Sequence, residues 1–376
     1  MQINSNLDQA YIKQHNIQRV LSMLELCQPL TRTEIARVTE MSPTSITRIV
    51  GALLSLGLVD EVSTSSVAGR GRKAVNLRTR ADGIYTLGFH IDLHTLRMCV
   101  LNFDNKTCFT ATAALPDGPS TPEGLAFSAK ALADRIPPGA MEDPARLRAI
   151  GVGISGCVDP GRGVVARSEA LDWTDVHLSE AFESVFQMPA RIENDVKACL
   201  TWERVFRALP DDQDVAYLYI GRAGIGFAST SNGAVVRGMN SSAGEIERLQ
   251  MNYGDRLDRH LMEKYLVARA RAVCPDIRSL RDILAAYRLE TPWAQILMRD
   301  FTEFLSLLLR LIRGLMDPHL VILGGDVPEA LAGTPELLPA EPFIPGEHFE
   351  DSCALGAAIV AMRESVQQMI GSAIGD

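Results

Sequence analysis

Two helix starts lie close together near the beginning of this chain, and they leave little freedom to the fold around them. Thr31-x-x-Glu34 has the form of a capping box, in which hydroxyl and carboxylate take up free backbone N–H groups at the head of a helix carrying Ile35, Ala36 and Val38. After the Thr39-Glu40-Met41 turn, Ser42 supplies an N-cap and Pro43 the first helical position of another helix. Upstream, Ile17, Val20, Leu21 and Leu24 follow helical spacing until Pro29 ends the run. Three helices with a tight turn between the last two predict a helix-turn-helix.

The third of these helices turns Ile46, Ile49, Val50, Leu53 and Leu54 inward. Ser42, Thr44, Ser45, Thr47 and Arg48 are left at its N-terminal end, where they suit the base edges and phosphates of a major groove. Gly57 can close the helix in a left-handed conformation, and Leu58-Val59 opens a wing strand. The wing tip carries Arg70, Gly71, Arg72 and Lys73. Guanidinium groups separated by a glycine can enter a narrow minor groove, because the backbone comes close there. Alone, this tetrapeptide reads equally well as a solvated basic loop; behind a capped three-helix head it points to double-stranded operator DNA.

Charge agrees with that placement. The 376 residues carry a net charge of −9, yet residues 1–82 hold ten Lys+Arg against seven Asp+Glu, so only the N-terminal part can approach phosphates favourably. The seven cysteines are scattered and form no Cys-x-x-Cys pair, the pattern of reduced thiols in a cytoplasmic protein. No stretch approaches roughly eighteen uncharged apolar residues, so no membrane span is expected. The first sixteen residues lack the apolar segment of a secretion signal.

Beyond residue 80, alternating apolar residues over 84–92, 96–103 and 107–115 predict three strands joined by short turns. A helical stretch follows at 123–136, and strand-like and helix-like runs then alternate to the end of the chain. This is the pattern of a mixed sheet flanked by helices.

Ordered motifs then narrow the reading: IGVGISGCVD (150–159), ALDWTDVHL (170–178), ENDVKA (193–198), IGRAGIGFA (220–228), SSAGEIE (241–247), LMEKY (261–265), DPHLVILGGDV (317–327) and the terminal ALGAA. Together, and with the head, they resemble the ROK family of repressors, open reading frames and kinases along nearly the whole chain. The resemblance implies an α/β fold: a winged helix-turn-helix at 1–80, then a two-lobed actin-like, ribonuclease H-like sugar-kinase fold at 81–376 that binds an effector and oligomerises as a homodimer or tetramer.

It also implies roles. Asn194 and Asp195 match the pair that grips sugar hydroxyls, with Asp195 where the kinases place their general base. An amide beside a carboxylate suits hydroxyl recognition, although Asn-Asp would equally cap the helix that follows. Glu245 and Glu263 match two further sugar-contacting carboxylates, and either could be an ordinary helix glutamate. Ser155 and Gly156 lie on a Gly-rich turn that can bring backbone close to a ligand or simply pack tightly.

The pattern breaks in three places. Family kinases open this fold with Asp-x-Gly-Gly-Thr, whose backbone cradles ATP phosphates; here the run is Asp92-Leu93-His94-Thr95. Phosphoryl transfer depends on positioning those phosphates, so no kinase activity and no nucleotide cofactor is expected. Many members build a zinc site from Glu-Ile-Gly-His and a cysteine-rich run, replaced here by Glu245-Ile246-Glu247-Arg248 and a segment without cysteine, so no metal is expected. Arg248 in place of histidine brings only donors and a permanent charge. It suits an anionic effector, a sugar acid or sugar phosphate, or else a salt bridge to Glu245, Glu247 or Asp255.

The expectation is therefore a cytoplasmic transcription regulator, a repressor of carbohydrate uptake or catabolism genes controlled by a sugar or sugar derivative. A ligand-blind or protein-partnered regulator is the alternative, and a sugar kinase with a DNA-binding head is disfavoured by Asp92–Thr95.

Overall fold

The computed structural model describes residues 16–63, 75–116 and 120–373, apart from 18, 26, 211, 223, 250–255 and 348. The wing tip with Arg70, Arg72 and Lys73 lies outside the described residues. The head consists of α1 (helical at the described positions of 16–27), α2 (Arg32–Thr39) and α3 (Pro43–Ser55), with strands β1 (Leu30–Thr31), β2 (Val59–Ser63) and β3 (Val75–Thr79). Both expected caps form. Thr31 and Glu34 close a capping box, and the Ser42 hydroxyl accepts the Ser45 N–H at 3.1 Å. The strands pair antiparallel in the order β1-β3-β2, and the Arg32–Glu61 ion pair at 2.8 Å ties α2 to β2. The two-residue strand β1 had no signal in the sequence, since it exists only by pairing with β3.

The first lobe runs through β4 (Tyr85–Ile91), β5 (Thr95–Asn102), β6 (Thr107–Ala114), α4 (Pro122–Ala133), β7 (Leu147–Ile154), β8 (Cys157–Asp159), β9 (Val164–Ser168), β10 (Trp173–Val176), α5 (Leu178–Phe186) and β11 (Ala190–Asn194). Its main sheet has the order β11-β7-β4-β5-β6, with β8, β9 and β10 forming a smaller sheet beside it. The long helix α6 (Asp195–Phe206) follows directly. The second lobe holds β12 (Val215–Ile220), β13 (Ile225–Ser231), β14 (Ala234–Val235), α7 (Asp258–Leu261), α8 (Glu263–Arg271), α9 (Leu280–Arg288), α10 (Pro292–Met316), β15 (Leu320–Gly324), α11 (Asp326–Leu331) and β16 (Ile344–Pro345), and α12 (Phe349–Ala373) ends the chain. Its sheet has the order β14-β13-β12-β15-β16. In α10 the buried face, including Phe301, Leu305 and Leu309, joins the core of this lobe, while Leu307, Leu311 and Leu315 point outward.

Helix α12 is the spine of the molecule. It lies across the first sheet so closely that a Cβ on Gly151 would collide with the Ala357 carbonyl, and one on Gly356 would collide with the Ala198 carbonyl of α6. Glycine at both places is required by backbone approaching backbone. The opposite side of α12 carries Leu355, Ile359, Met362, Val366 and Ile370 into one apolar cluster with Ile17, Val20, Leu24, Leu53 and Leu58 of the head. The head therefore shares a core with the body and does not hang from a linker. Arg146 adds polar contacts at the junction, donating to the carbonyls of Asp82 and Gly83 at 3.3 and 3.5 Å.

Candidate functional site

Strand β11 ends and α6 begins at Asn194, so the chain turns where the two lobes meet. The Asn194 side chain caps α6 by accepting the Lys197 N–H at 3.0 Å, and its Nδ2 donates to the Gly156 carbonyl and to Asp195 Oδ1, both at 3.0 Å. Gly156 has φ +125, and a Cβ there would press on Arg167 and Ser168. The structure thus brings Ser155, Gly156, Asn194 and Asp195 together, and Asn194 performs the capping role while remaining at the mouth of the turn.

Asp195 Oδ1 also accepts the Val196 N–H at 2.8 Å. Its pKa is pushed up to about 6, mainly by burial, with a counteracting lowering from the Val196 N–H and further raising by Glu245, Asp92 and Glu247. Glu247 is itself raised, by burial first and then by Glu245. Glu245 therefore acts on the same small region as Asp195. Arg248 closes the short turn Ile246–Arg248. Glu263 is committed elsewhere: its Oε1 accepts the Leu280 N–H at the start of α9 at 2.9 Å, and Oε2 lies 3.7 Å from Arg222 Nε. Those partners define a structural use within the second lobe.

Beneath this turn lies a charged network that the sequence reading did not single out. Glu193, 1% exposed, is gripped by Arg237 through two bonds of 2.8 and 2.6 Å, and its Oε1 also accepts the Asn194 N–H at 2.9 Å. Lys197 is 1% exposed and donates from Nζ to the Ser241 carbonyl at 3.1 Å; burial lowers its pKa, opposed by Glu193. Glu193 and Lys197 belong to β11 and α6, whereas Arg237 and Ser241 lie on the loop from β14 to Glu245. Two buried charges therefore tie the loop carrying one candidate effector carboxylate to the turn carrying the other. The only sequence signal was three ionisable side chains, Glu193, Asp195 and Lys197, alternating through a strand-to-helix junction.

At the turn that begins with Asp92, whose charge reaches Asp195, the chemistry is reversed. Asp92 to Thr95 makes a tight turn between β4 and β5, in which the Asp92 N–H donates to the Thr95 carbonyl at 2.9 Å and the Leu93 N–H to Asp92 Oδ1 at 2.7 Å. Those N–H groups are spent within the turn. A cavity of about 520 Å³ beside Gly324 and Gly325 is walled by Glu329, Glu347, Glu350 and Asp351. Glu350 is paired with Arg97 at 3.1 Å, and the other three carboxylates are unfavourable neighbours for the phosphates of a nucleoside triphosphate. The zinc site that the family resemblance suggests does not fit either, since residues 245–263 offer no cysteine.

On the head, Thr44, Thr47 and Arg48 are exposed along α3, as is Ser42, with Ser45 half-buried. The Thr47 hydroxyl donates back to the Pro43 carbonyl at 2.8 Å, leaving its lone pairs and methyl outward.

Comparison with known proteins agrees with this architecture. A profile of the ROK family matches residues 121–340. The chain belongs to the ROK family. It is similar to the DNA-binding transcriptional dual regulator NagC of Escherichia coli K12, 25% identical over 240 residues, which cover 64% of this chain and 58% of that protein. The DNA-binding transcriptional repressor Mlc of the same organism is 26% identical over 247 residues, 65% of this chain and 60% of the relative. The chain thus matches less than two thirds of the length of these relatives. Among solved structures, a ROK family transcriptional regulator, homologous to E. coli Mlc, superposes with a TM-score of 0.78 at 18% identity over 97% of this chain and all of that one. A ROK glucokinase from Streptomyces griseus, solved with glucose and AMPPNP, gives 0.61 at 21% identity over 74% of this chain and 99% of its own. Both share the fold. Among the described residues no helix is long and apolar enough to cross a membrane.

Proposed function

We propose that this protein is a sugar-responsive transcription regulator without kinase activity, a repressor of carbohydrate uptake or catabolism genes acting on operator DNA in the cytoplasm. The observation that carries this reading is the contrast within one cleft. Asn194 and Asp195 sit on a turn braced by hydrogen bonds, while the N–H groups of Asp92 and Leu93 are spent within their own turn and the cavity beside Gly324 and Gly325 is lined with carboxylates. The names of the repressor relatives support it.

The effector is a small molecule rich in neutral hydroxyls. The charges that act on Asp195 are Glu245, Asp92 and Glu247, all negative, and they oppose a sugar acid or sugar phosphate more than a neutral sugar. The protein works as a symmetric homo-oligomer, dimer or tetramer, because paired recognition helices read the two halves of a palindrome. Effector binding favours the arrangement in which the heads no longer match operator spacing. Ser42, Thr44, Ser45, Thr47 and Arg48 carry the major-groove contacts, with Arg70, Arg72 and Lys73 on the wing.

The test is binding of the purified protein to its own upstream intergenic DNA, repeated with neutral sugars, sugar acids and sugar phosphates. Specific binding released by a neutral sugar is expected. Specific binding indifferent to every compound would sink the effector half of the proposal, and release by a phosphate alone would sink the neutral-ligand part.

A further inference from the structure

A second cavity, of about 240 Å³, lies where the head meets the body. Its walls come from four places: Ser22 and Glu25 of α1, Asp104 on the β5–β6 turn, Trp202 and Phe206 in the C-terminal half of α6, and Arg363 of α12. Two polar atoms of these walls are buried without any partner, Ser22 Oγ and Arg363 Nε. Ser22 is only 8% exposed, and Arg363 reaches Glu25 through Nη2 at 3.4 Å, which leaves its Nε–H unanswered. Folded proteins leave few buried donors in this condition unless something else answers them.

We infer that this junction cavity is a second small-molecule site, distinct from the cleft at Asn194 and Asp195, and that it takes a small, uncharged polyhydroxyl compound. Its lining carries carboxylates, Glu25 and Asp104, and guanidiniums, Arg363 and Arg204, in equal number, so an occupant with net charge gains nothing from the whole set. The unmet groups are a donor, Arg363 Nε–H, and a hydroxyl, Ser22 Oγ, which can donate or accept. A ligand hydroxyl answers both, since it donates and accepts at once. The Trp202 and Phe206 rings offer an apolar wall to the C–H face of such a molecule.

The position gives the site a consequence. Helix α6 runs from Asp195 to Phe206, so the two sites sit at opposite ends of one helix, roughly 18 Å apart at 1.5 Å per residue. The junction site alone also touches α1, the first helix of the reading head. An occupant bridging α1 to α6 and α12 favours the head docked on the body, and therefore biases DNA binding without entering the cleft.

The experiment is titration calorimetry on the full chain with glycerol, erythritol, xylitol and glucose, together with crystal soaks of the same compounds. Three variants are compared with the parent: Asp195→Asn in the cleft, Ser22→Phe to fill the junction, and Arg363→Met to remove its donor should the bulkier change prevent folding. Binding of at least one polyol that survives Asp195→Asn, falls at least tenfold in Arg363→Met or Ser22→Phe, and shows density at the junction is the expected result. The inference is overturned if no member of the panel binds Asp195→Asn, or if binding is unchanged in both junction variants. A neutral-sugar response lost only with Asp195→Asn would leave the cleft reading standing and remove this one.

Discussion

The turn at Asn194 and the turn at Asp92 are built in opposite ways. At the Asn194 end the turn is held by the bonds of Asn194 and by the buried Glu193–Arg237 and Lys197–Ser241 ties. At the Asp92 end the turn is closed upon itself and the adjoining cavity is lined with carboxylates. The two turns can differ independently, because one is a strand-to-helix turn and the other a hairpin turn.

The largest expected effect strikes the brace under the retained end. Glu193→Gln removes the charge that pairs with Arg237, and a broken buried pair costs about 3 kcal/mol of stability. Urea unfolding of the variant is the check. If stability is unchanged, the network is not what distinguishes this end from the other. Next, Asp195→Ala should weaken effector binding by about 2 kcal/mol, roughly thirtyfold, as expected when a charged hydrogen-bonding group is lost. Calorimetry with the releasing sugar reads it, and an unaltered affinity would place the effector elsewhere.

Arg48→Ala should weaken operator binding by about 1–2 kcal/mol while leaving effector affinity intact, because the head is remote from both ends. Fluorescence anisotropy across a salt series measures this; an effect on effector affinity alone would contradict the division of labour.

A subtler effect concerns pH. The Asp195 pKa is raised to about 6 in the folded protein, from 3.8. The folded state therefore holds a proton more firmly than the unfolded chain, and stability falls as pH rises from about 4 to 6. The penalty is fully present at neutral pH and absent below both values. Asp195→Asn should then be more stable than the parent at pH 7, with the advantage vanishing near pH 4. Thermal melts at the two pH values check the sign, and an advantage that grows on acidification would refute it. The smallest expected effect is none at all: millimolar ATP with magnesium should shift neither the melting temperature nor sugar binding, and a clear ATP-dependent shift would erase the contrast between the two ends.

Local chemistry made much of this molecule legible beforehand. The Thr31–Glu34 box and the Ser42-Pro43 start were readable because a helix cap is settled within four residues. The strands at 84–92, 96–103 and 107–115 were readable from alternation, and each forms within about one residue of that range. Asn194 and Asp195 were reachable through their motif. The braces were not, because Arg237 and Ser241 are more than forty positions away from Glu193 and Lys197 and pair with them only through tertiary approach. Glu263 shows the converse. Its motif suggested a ligand contact, but a free helix N-terminus at Leu280 competes for the same carboxylate. Arg222 takes the other oxygen.

The sharing of α12 between head and body has a consequence for anyone wishing to rewire such a switch. Residues from Leu355 to Ile370 complete the core of a head that lies at the other end of the sequence. The transplantable unit is therefore discontinuous. A chimaera spliced near residue 80 would graft a foreign head onto a helix shaped for Ile17, Val20 and Leu24, and so expose apolar surface on both partners. Successful grafts will have to carry the outer face of the final helix along with the head, which makes the far end of the chain part of the same folding unit as its beginning.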